Sequence, residues 1–313
     1  MNIQIIRIIM KFDLLSESDQ AYFIHKASTL VEALPYIREH NGDIIVIKYG
    51  GHAMGDTKLS KSFAKDVSLL KEIGISPIII HGGGPQIGER LKNKNIKSKF
   101  VKGLRVTDQE TIKIVEEVLS KDINSEIVKS ISSSGGKAIG ISGNVDKLIE
   151  ASKLKVEVKD SDSNIEKIID IGFVGEPTKL NKKIILDLIE QGIIPVIAPL
   201  GIDIDNSSFN INADTAAGFI AGELKASKLL LLTDVAGIMD SNNKLISTLN
   251  MSDAKKIMNE SFISGGMVPK IQTCINAMEK GVNKSTILDG RIPHSVILEL
   301  FTEHGIGTQL VSN

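Results

Sequence analysis

The chain has 313 residues, 42% of them hydrophobic and 24% charged, with a formal net charge of -1; that is enough to bury a large core as one α/β unit or two lobes. Near-neutral charge, 4% aromatics and no tryptophan argue against nucleic acid or an acidic membrane as partner. The single cysteine, Cys274, cannot form an internal disulfide and no His/Cys cluster has zinc spacing, so the expectation is a cytoplasmic protein with no metal site of its own.

The first ten residues, MNIQIIRIIM, are apolar but too short to span a membrane and have no small-residue cleavage site. They read as an extension ahead of an alternative start at Met10. Next, Phe23, Lys26, Ala27, Leu30, Val31 and Leu34 pattern an amphipathic helix, started by Ser16 or Ser18 and interrupted at Pro35. Its apolar face needs cover, either from its own domain or from another subunit, and the sequence leaves both open.

Short apolar runs follow at 44–47, 78–80, 138–141, 195–199, 229–232 and 286–288. Their near-continuous hydrophobicity predicts strands covered on both faces. Helical spacing fills the gaps, as in Leu59, Phe63, Val67 and Leu70, and again in Met267, Ile271, Cys274 and Met278, which makes Cys274 a core residue. Alternating strands and helices predict a mainly parallel sheet whose ligands gather at the carboxyl ends of its strands. Stretches 99–107 and 151–174 are polar and glycine-punctuated, and are expected to form hairpins projecting as lids.

Two strands end in glycines. The first leads into Lys48, Gly50 and Gly51, and the second into Gly82, Gly83 and Gly84 before a helix. Glycine turns leave N–H groups unshielded, and the helix N-terminus adds positive potential, so the pair favours a phosphate or carboxylate ligand. Lys48 would set its ammonium at the ligand edge, although a strand-end lysine can also simply reach for solvent. Arg105, in KGLRVTD, suits bidentate capture of a carboxylate.

Asp214, in NINADTAA, opens a helix of small residues; it is either a helix cap or a carboxylate that positions lysines. Asn210 and Asn212 can donate to a substrate or build the turn. Thr233 and Asp234 end the strongest apolar run, where a nucleotide would lie. Lys270 follows Gly265, Gly266 and Met267 in the first turn of a helix, where the dipole disfavours a cation unless an anion accompanies it. GGGPQIG also imitates a dinucleotide fingerprint, but the region where its acidic residue belongs is the basic KSKFVKGLR. No P-loop, G-x-S-x-G or HExxH motif occurs.

Taken in order, KYGG, HGGGPQIG, GLRVTD, NINAD, LLTDVAGI and GGMVPKI resemble the N-acetyl-L-glutamate kinases of the amino acid kinase family, from about Gly42 to the C-terminus. The resemblance implies a three-layer α/β/α sandwich around a mainly parallel sheet, with an N-terminal oligomerisation helix in 1–42, an acetylglutamate lobe at 43–222 and an ATP lobe at 223–313. It implies catalytic roles for Lys48, Lys270 and Asp214, substrate contacts from Gly50, Gly51, Gly83, Gly84, Arg105 and Asn210, and contacts to MgATP from Thr233, Asp234, Gly265, Gly266 and Met267. The tail HSVILELFTEHGIGTQL is similar to that of arginine-sensitive members, with L-arginine as inhibitor held by Glu299, Gly305 and Gly307 in a hexamer built as a trimer of dimers. Kinases for aminoadipate, free glutamate or aspartate, an NAD-dependent oxidoreductase and a non-catalytic arginine sensor are the alternatives.

Overall fold

The structure is a computed structural model that describes residues 12, 15–50, 54–160, 163–263 and 265–312. Gly51 and both candidate start residues, Met1 and Met10, lie outside the described residues.

Ser16 caps α1 (Glu17–Glu32) by accepting from the Asp19 N–H, so the first of the two expected serines starts the helix. The break comes at Ala33, and Pro35 sits in the first turn of α2 (Leu34–His40), where its missing N–H costs nothing. The chain then runs through β1 (Ile44–Tyr49), α3 (Thr57–Glu72), β2 (Ser76–His81), α4 (Gly84–Asn93) and the hairpin of β3 (Phe100–Val101) with β4 (Leu104–Arg105). A nearly unbroken helical stretch follows: α5 (Gln109–Glu117), a π-helix (Val118–Ile123) and α6 (Asn124–Ser133). After it come β5 (Ala138–Ser142), β6 (Ile149–Lys153), β7 (Val156–Asp160), β8 (Ser163–Ile169), β9 (Gly175–Leu180) and α7 (Lys182–Glu190). The last third holds β10 (Ile194–Ala198), β11 (Leu200–Ile202), β12 (Ser208–Asn210), α8 (Ala213–Leu224), β13 (Lys228–Thr233), β14 (Thr248–Asn250), α9 (Met251–Ile257), α10 (Met267–Glu279), β15 (Lys284–Asp289), α11 (Ser295–Phe301) and β16 (Thr308–Val311).

Eight strands form the central sheet in the order β14-β16-β15-β13-β1-β2-β10-β5. Every neighbouring pair is parallel except β15 with β16. All six apolar runs are strands of this sheet. Alternation along them serves two cores: Ile45, Ile47, Ile79 and Leu230 face α3, α4, α5, α6 and α11, while Val46, Ile78, Leu229 and Leu231 face α7 to α10. Cys274 is fully buried in the second core. The small residues of α8 let it lie close against α10, since a Cβ on Gly218 would come 2.5 Å from Thr273 Cγ2.

A second sheet, ordered β12-β11-β6-β9, extends the second core. Pro199 separates β10 from β11, so the chain changes sheets there. The stretch 151–174 is therefore only partly a projecting hairpin. Strands β7 and β8 pair as expected, but Ala151 to Lys153 lie in β6 against β9, and Val174 bridges Asn210. Among the described residues nothing buries the apolar face of α1: the helix has no buried residue, Phe23 and Leu30 are 47% and 75% exposed, and Leu34 at the start of α2 is 42% exposed.

Candidate active site

The strands leave β1 in opposite directions, to β2 on one side and β13 on the other, so the carboxyl end of β1 lies at a topological switch point. Lys48 stands there, in register with Ile80 of β2 and Leu231 of β13. Its ammonium donates to the Leu232 carbonyl at 3.4 Å. A Cβ on Gly50 would come 2.8 Å from Lys48 Nζ, so Gly50 serves the lysine: any side chain there displaces the ammonium.

The glycine turn after β2 is tied to β1 by the Gly82 N–H, which donates to the Tyr49 carbonyl at 2.7 Å. Leu119 and Ile123 of the π-helix press onto Gly83, where a Cβ would lie 2.5 Å from Leu119 Cδ2 and 2.8 Å from Ile123 Cδ1. A Cβ on Gly84 would meet nothing within 4 Å. Neither the Gly83 nor the Gly84 N–H has a partner among the described residues, as befits the first positions of a helix, and both residues line one cavity.

Asn212 caps α8, its side-chain oxygen accepting from the N–H groups of Asp214 and Thr215. The cap is thereby supplied, and the Asp214 carboxylate is left for other partners. Lys48 Nζ lies 3.0 Å from its Oδ1, in ion-pair contact but off the hydrogen-bond direction. Lys270 Nζ donates to its Oδ2. Burial alone would raise this carboxyl, but the charges of Lys48 and Lys270 and the hydrogen bond from Lys270 outweigh burial and hold it below the usual carboxylate range. The anion expected beside Lys270 is therefore Asp214.

Around this triad lies a cavity of about 340 Å³ that also takes in Gly82, Gly83, Gly84, Arg105, Asn210 and Asn212. Arg105 donates to the Gly84 carbonyl at 2.9 Å and to Ser98 Oγ, and stacks over Phe100 with its guanidinium carbon 4.8 Å from the ring centre. Asn210 ends β12 and donates its N–H to the Phe173 carbonyl at 2.9 Å. Three cations face one carboxylate, so the cavity suits a small anion with more than one negative group. Leu104, Leu119, Val174 and Ile211 supply apolar wall; Leu104 and Ile211 lie within the GLRVTD and NINAD motifs, but no sequence signal marked Leu119 or Val174, because an apolar residue facing a cavity reads like any core residue.

His81 is fully buried, and burial lowers its imidazole to about 4. An unfolded chain takes up a proton at its ordinary value near 6.5, so folding stability is fully present above that pH and is lost as pH falls toward 4. The expected loss is up to about 3 kcal/mol. Urea titrations at several pH values should show this slope in the wild type and a flatter one in His81→Asn.

The amino acid kinase family profile matches residues 43–289, which is most of the chain. The chain belongs to the amino acid kinase family. Among its relatives, the acetylglutamate kinase of Rhodospirillum centenum is 53% identical over 286 residues, covering 91% of this chain and 94% of that one. That of Rhodospirillum rubrum is 52% identical over 91% of this chain and 92% of its own. At this identity the enzyme falls in the acetylglutamate kinase group. Its fold is also that of the N-acetylglutamate synthase of Neisseria gonorrhoeae, solved with coenzyme A and N-acetyl-glutamate: 25% identity, TM-score 0.79, over 92% of this chain and 63% of that one.

For an amino acid kinase, the residues expected to hold the nucleotide are less gathered than those expected to hold the acceptor. Thr233 and Asp234 sit at the carboxyl end of β13, with Thr233 Oγ1 3.2 Å from Asp234 Oδ1. Gly265, Gly266 and Met267 lead into α10, the helix that carries Lys270. None of these five lines the cavity around Asp214. Asp234 lines a neighbouring cleft with Pro85, Gln86 and Arg291, whose guanidinium is held by Asp289. Among the described residues no cluster of three metal-ligating side chains occurs.

At the far end of the sheet Glu299, Gly305 and Gly307 do come together. Ile306 N–H donates to Glu299 Oε2 at 3.0 Å, Gly305 has a φ of +57°, and a Cβ there would lie 2.8 Å from the same oxygen. They line a cavity of about 510 Å³ with Tyr36, Glu39 and His40 of α2, and with Lys228 and Lys284.

Proposed function

We propose that this enzyme transfers the γ-phosphoryl group of MgATP to the side-chain carboxylate of N-acetyl-L-glutamate, giving N-acetyl-L-glutamyl 5-phosphate and ADP in arginine biosynthesis in the cytoplasm. The observation that carries this reading is the buried Asp214, which holds the ammonium groups of Lys48 and Lys270 beside Arg105 and two glycine N–H groups that have no partner among the described residues. A carboxylate is already nucleophilic, so the protein needs no serine or histidine of its own. It must align two anions and neutralise the charge on the phosphoryl group in transit. On this reading Arg105 and Asn210 hold the acceptor in the 43–222 lobe, and Gly50, through Lys48, and Gly83 and Gly84 border the transferring group. Thr233, Asp234, Gly265, Gly266 and Met267 hold ATP in the 223–313 lobe, and magnesium arrives on the nucleotide as part of the substrate.

The product is an acyl phosphate, so hydroxylamine should trap it as one hydroxamate per ADP released; ADP without hydroxamate would overturn the reading. Arg105→Lys keeps the charge and loses the fork. The KM for acetylglutamate should then rise roughly tenfold while the KM for ATP stays within about twofold.

Feedback control by L-arginine at Glu299, Gly305 and Gly307 belongs to the same proposal. Its support is that this pocket adjoins α2, directly after a helix whose apolar face is left exposed among the described residues. A trimer of dimers interlaced through α1 would provide that cover. Deleting the residues before Asp43 should reduce the hexamer to a dimer and weaken arginine inhibition together, because an effector acts only through states that differ in its affinity. Sedimentation and arginine titration check this, and an unchanged hexamer would refute it.

A further inference from the structure

Beneath the glycine turn runs a row of buried polar groups that the proposed chemistry does not use. His81 closes β2, with Nδ1 2.9 Å from the Gly82 carbonyl oxygen and Nε2 3.2 Å from the Asn124 amide nitrogen. A carbonyl oxygen only accepts, so the proton belongs on Nδ1, and Nε2 accepts from Asn124. The same Asn124 amide donates to the Val196 carbonyl of β10 at 2.9 Å. Room for it comes from Gly140 of β5, where a Cβ would lie 1.7 Å from Asn124 Oδ1. Asn124 follows directly on the π-helix that presses Leu119 and Ile123 onto Gly83. π turns within helices recur at functional sites, and this one delivers two apolar contacts to the glycine turn and is followed at once by the amide that holds His81.

A peptide group is planar and trans, so its C=O and N–H point in opposite directions. With the Gly82 carbonyl drawn toward His81, the N–H of Gly83 is turned the other way. A Gly-Gly peptide does not hold that orientation by itself, because glycine rotates among many conformations at little cost.

We infer that His81, pinned by Asn124, is a positioning residue that locks the Gly82–Gly83 peptide so that the Gly83 N–H stays turned toward the anion cavity during phosphoryl transfer. This role rests on the reaction proposed above. A neutral imidazole is suited to it, because burial holds the ring uncharged down to about pH 4 and one tautomer serves throughout the neutral range.

Three variants separate positioning from mere packing. An asparagine at 81 places its amide near the site of Nδ1, a glutamine near that of Nε2, and a leucine supplies neither donor. His81→Asn should keep kcat within about threefold of wild type, whereas His81→Gln and His81→Leu should lose roughly tenfold or more, with the KM for MgATP nearly unchanged, as expected when one transition-state donor is disoriented. If His81→Leu does not fold, the comparison of Asn with Gln still decides. Glutamine as active as asparagine, or a kcat that follows melting temperature across all three, would overturn the inference. Each variant is assayed with whichever acceptor the wild type phosphorylates, so a wild type inactive on acetylglutamate refutes the proposed function and leaves this test standing.

Discussion

Lys270→Ala should lower kcat by roughly 10² or more, and Lys48→Ala by a similar factor, the scale on which one preorganised stabiliser of transition-state charge acts. Each ammonium is held by the buried carboxylate of Asp214 and not by solvent, so its position is set before substrate arrives. Fixed charge costs no reorganisation during the reaction, which is where its advantage over water lies. Stability should change little in either variant, since the remaining lysine still neutralises Asp214. Steady-state kinetics at saturating substrates check this, and near wild-type turnover in either variant would remove that lysine from the chemistry.

Asp214→Asn should be costly in two ways. The shape is preserved, but two ammonium groups would then face each other and the cationic Arg105 cavity without a counterion. Removing one partner of a buried ionic group costs about 3 kcal/mol or more, and the displaced lysines should reduce kcat by roughly 10². A polyvalent anion such as sulfate should return part of the lost stability, because it binds the folded state alone, while leaving kcat low. Thermal melts with and without sulfate, beside kcat, test this. A variant that is stable without sulfate would mean that the lysines do not depend on Asp214 for their placement.

The central sheet was legible because five of its strands are covered on both faces, which leaves continuous apolar runs in the sequence; β5, at the edge, reads the same way although Ile139 is exposed. Strands β14 and β16 left no such run; they are only three and four residues long, and their polar Thr, Asn and Gln positions break any apolar run. The second sheet escaped for a related reason: β11 and β12 have three residues each, too few to show a period of two.

In the site, glycines and charges were legible because each breaks a local rule. Lys270 sits against a helix dipole, and consecutive glycines end strands; both anomalies resolve around Asp214. Leu119 and Val174 break no rule where they stand, and only long-range packing brings them to the cavity. The link between His81 and Asn124 spans 43 residues, and nothing local to either announces it. The residues expected to hold the nucleotide end β13 and begin α10, as their sequence positions suggest, but the cavity around Asp214 does not include them.

In the proposed reaction the cavity holding Lys48, Asp214 and Lys270 accepts N-acetyl-L-glutamate as the phosphoryl acceptor. ADP release measured with N-acetyl-L-glutamate, free glutamate, aspartate and N-acetylaminoadipate, each as sole acceptor with MgATP, tests it most directly. The expected kcat/KM for N-acetyl-L-glutamate is at least roughly 10² above that of every other acid, since an unpaired ammonium in a site shaped for an acyl group, or a chain of the wrong length, forfeits interactions worth several kcal/mol. Equal or faster turnover of free glutamate or aspartate would contradict it.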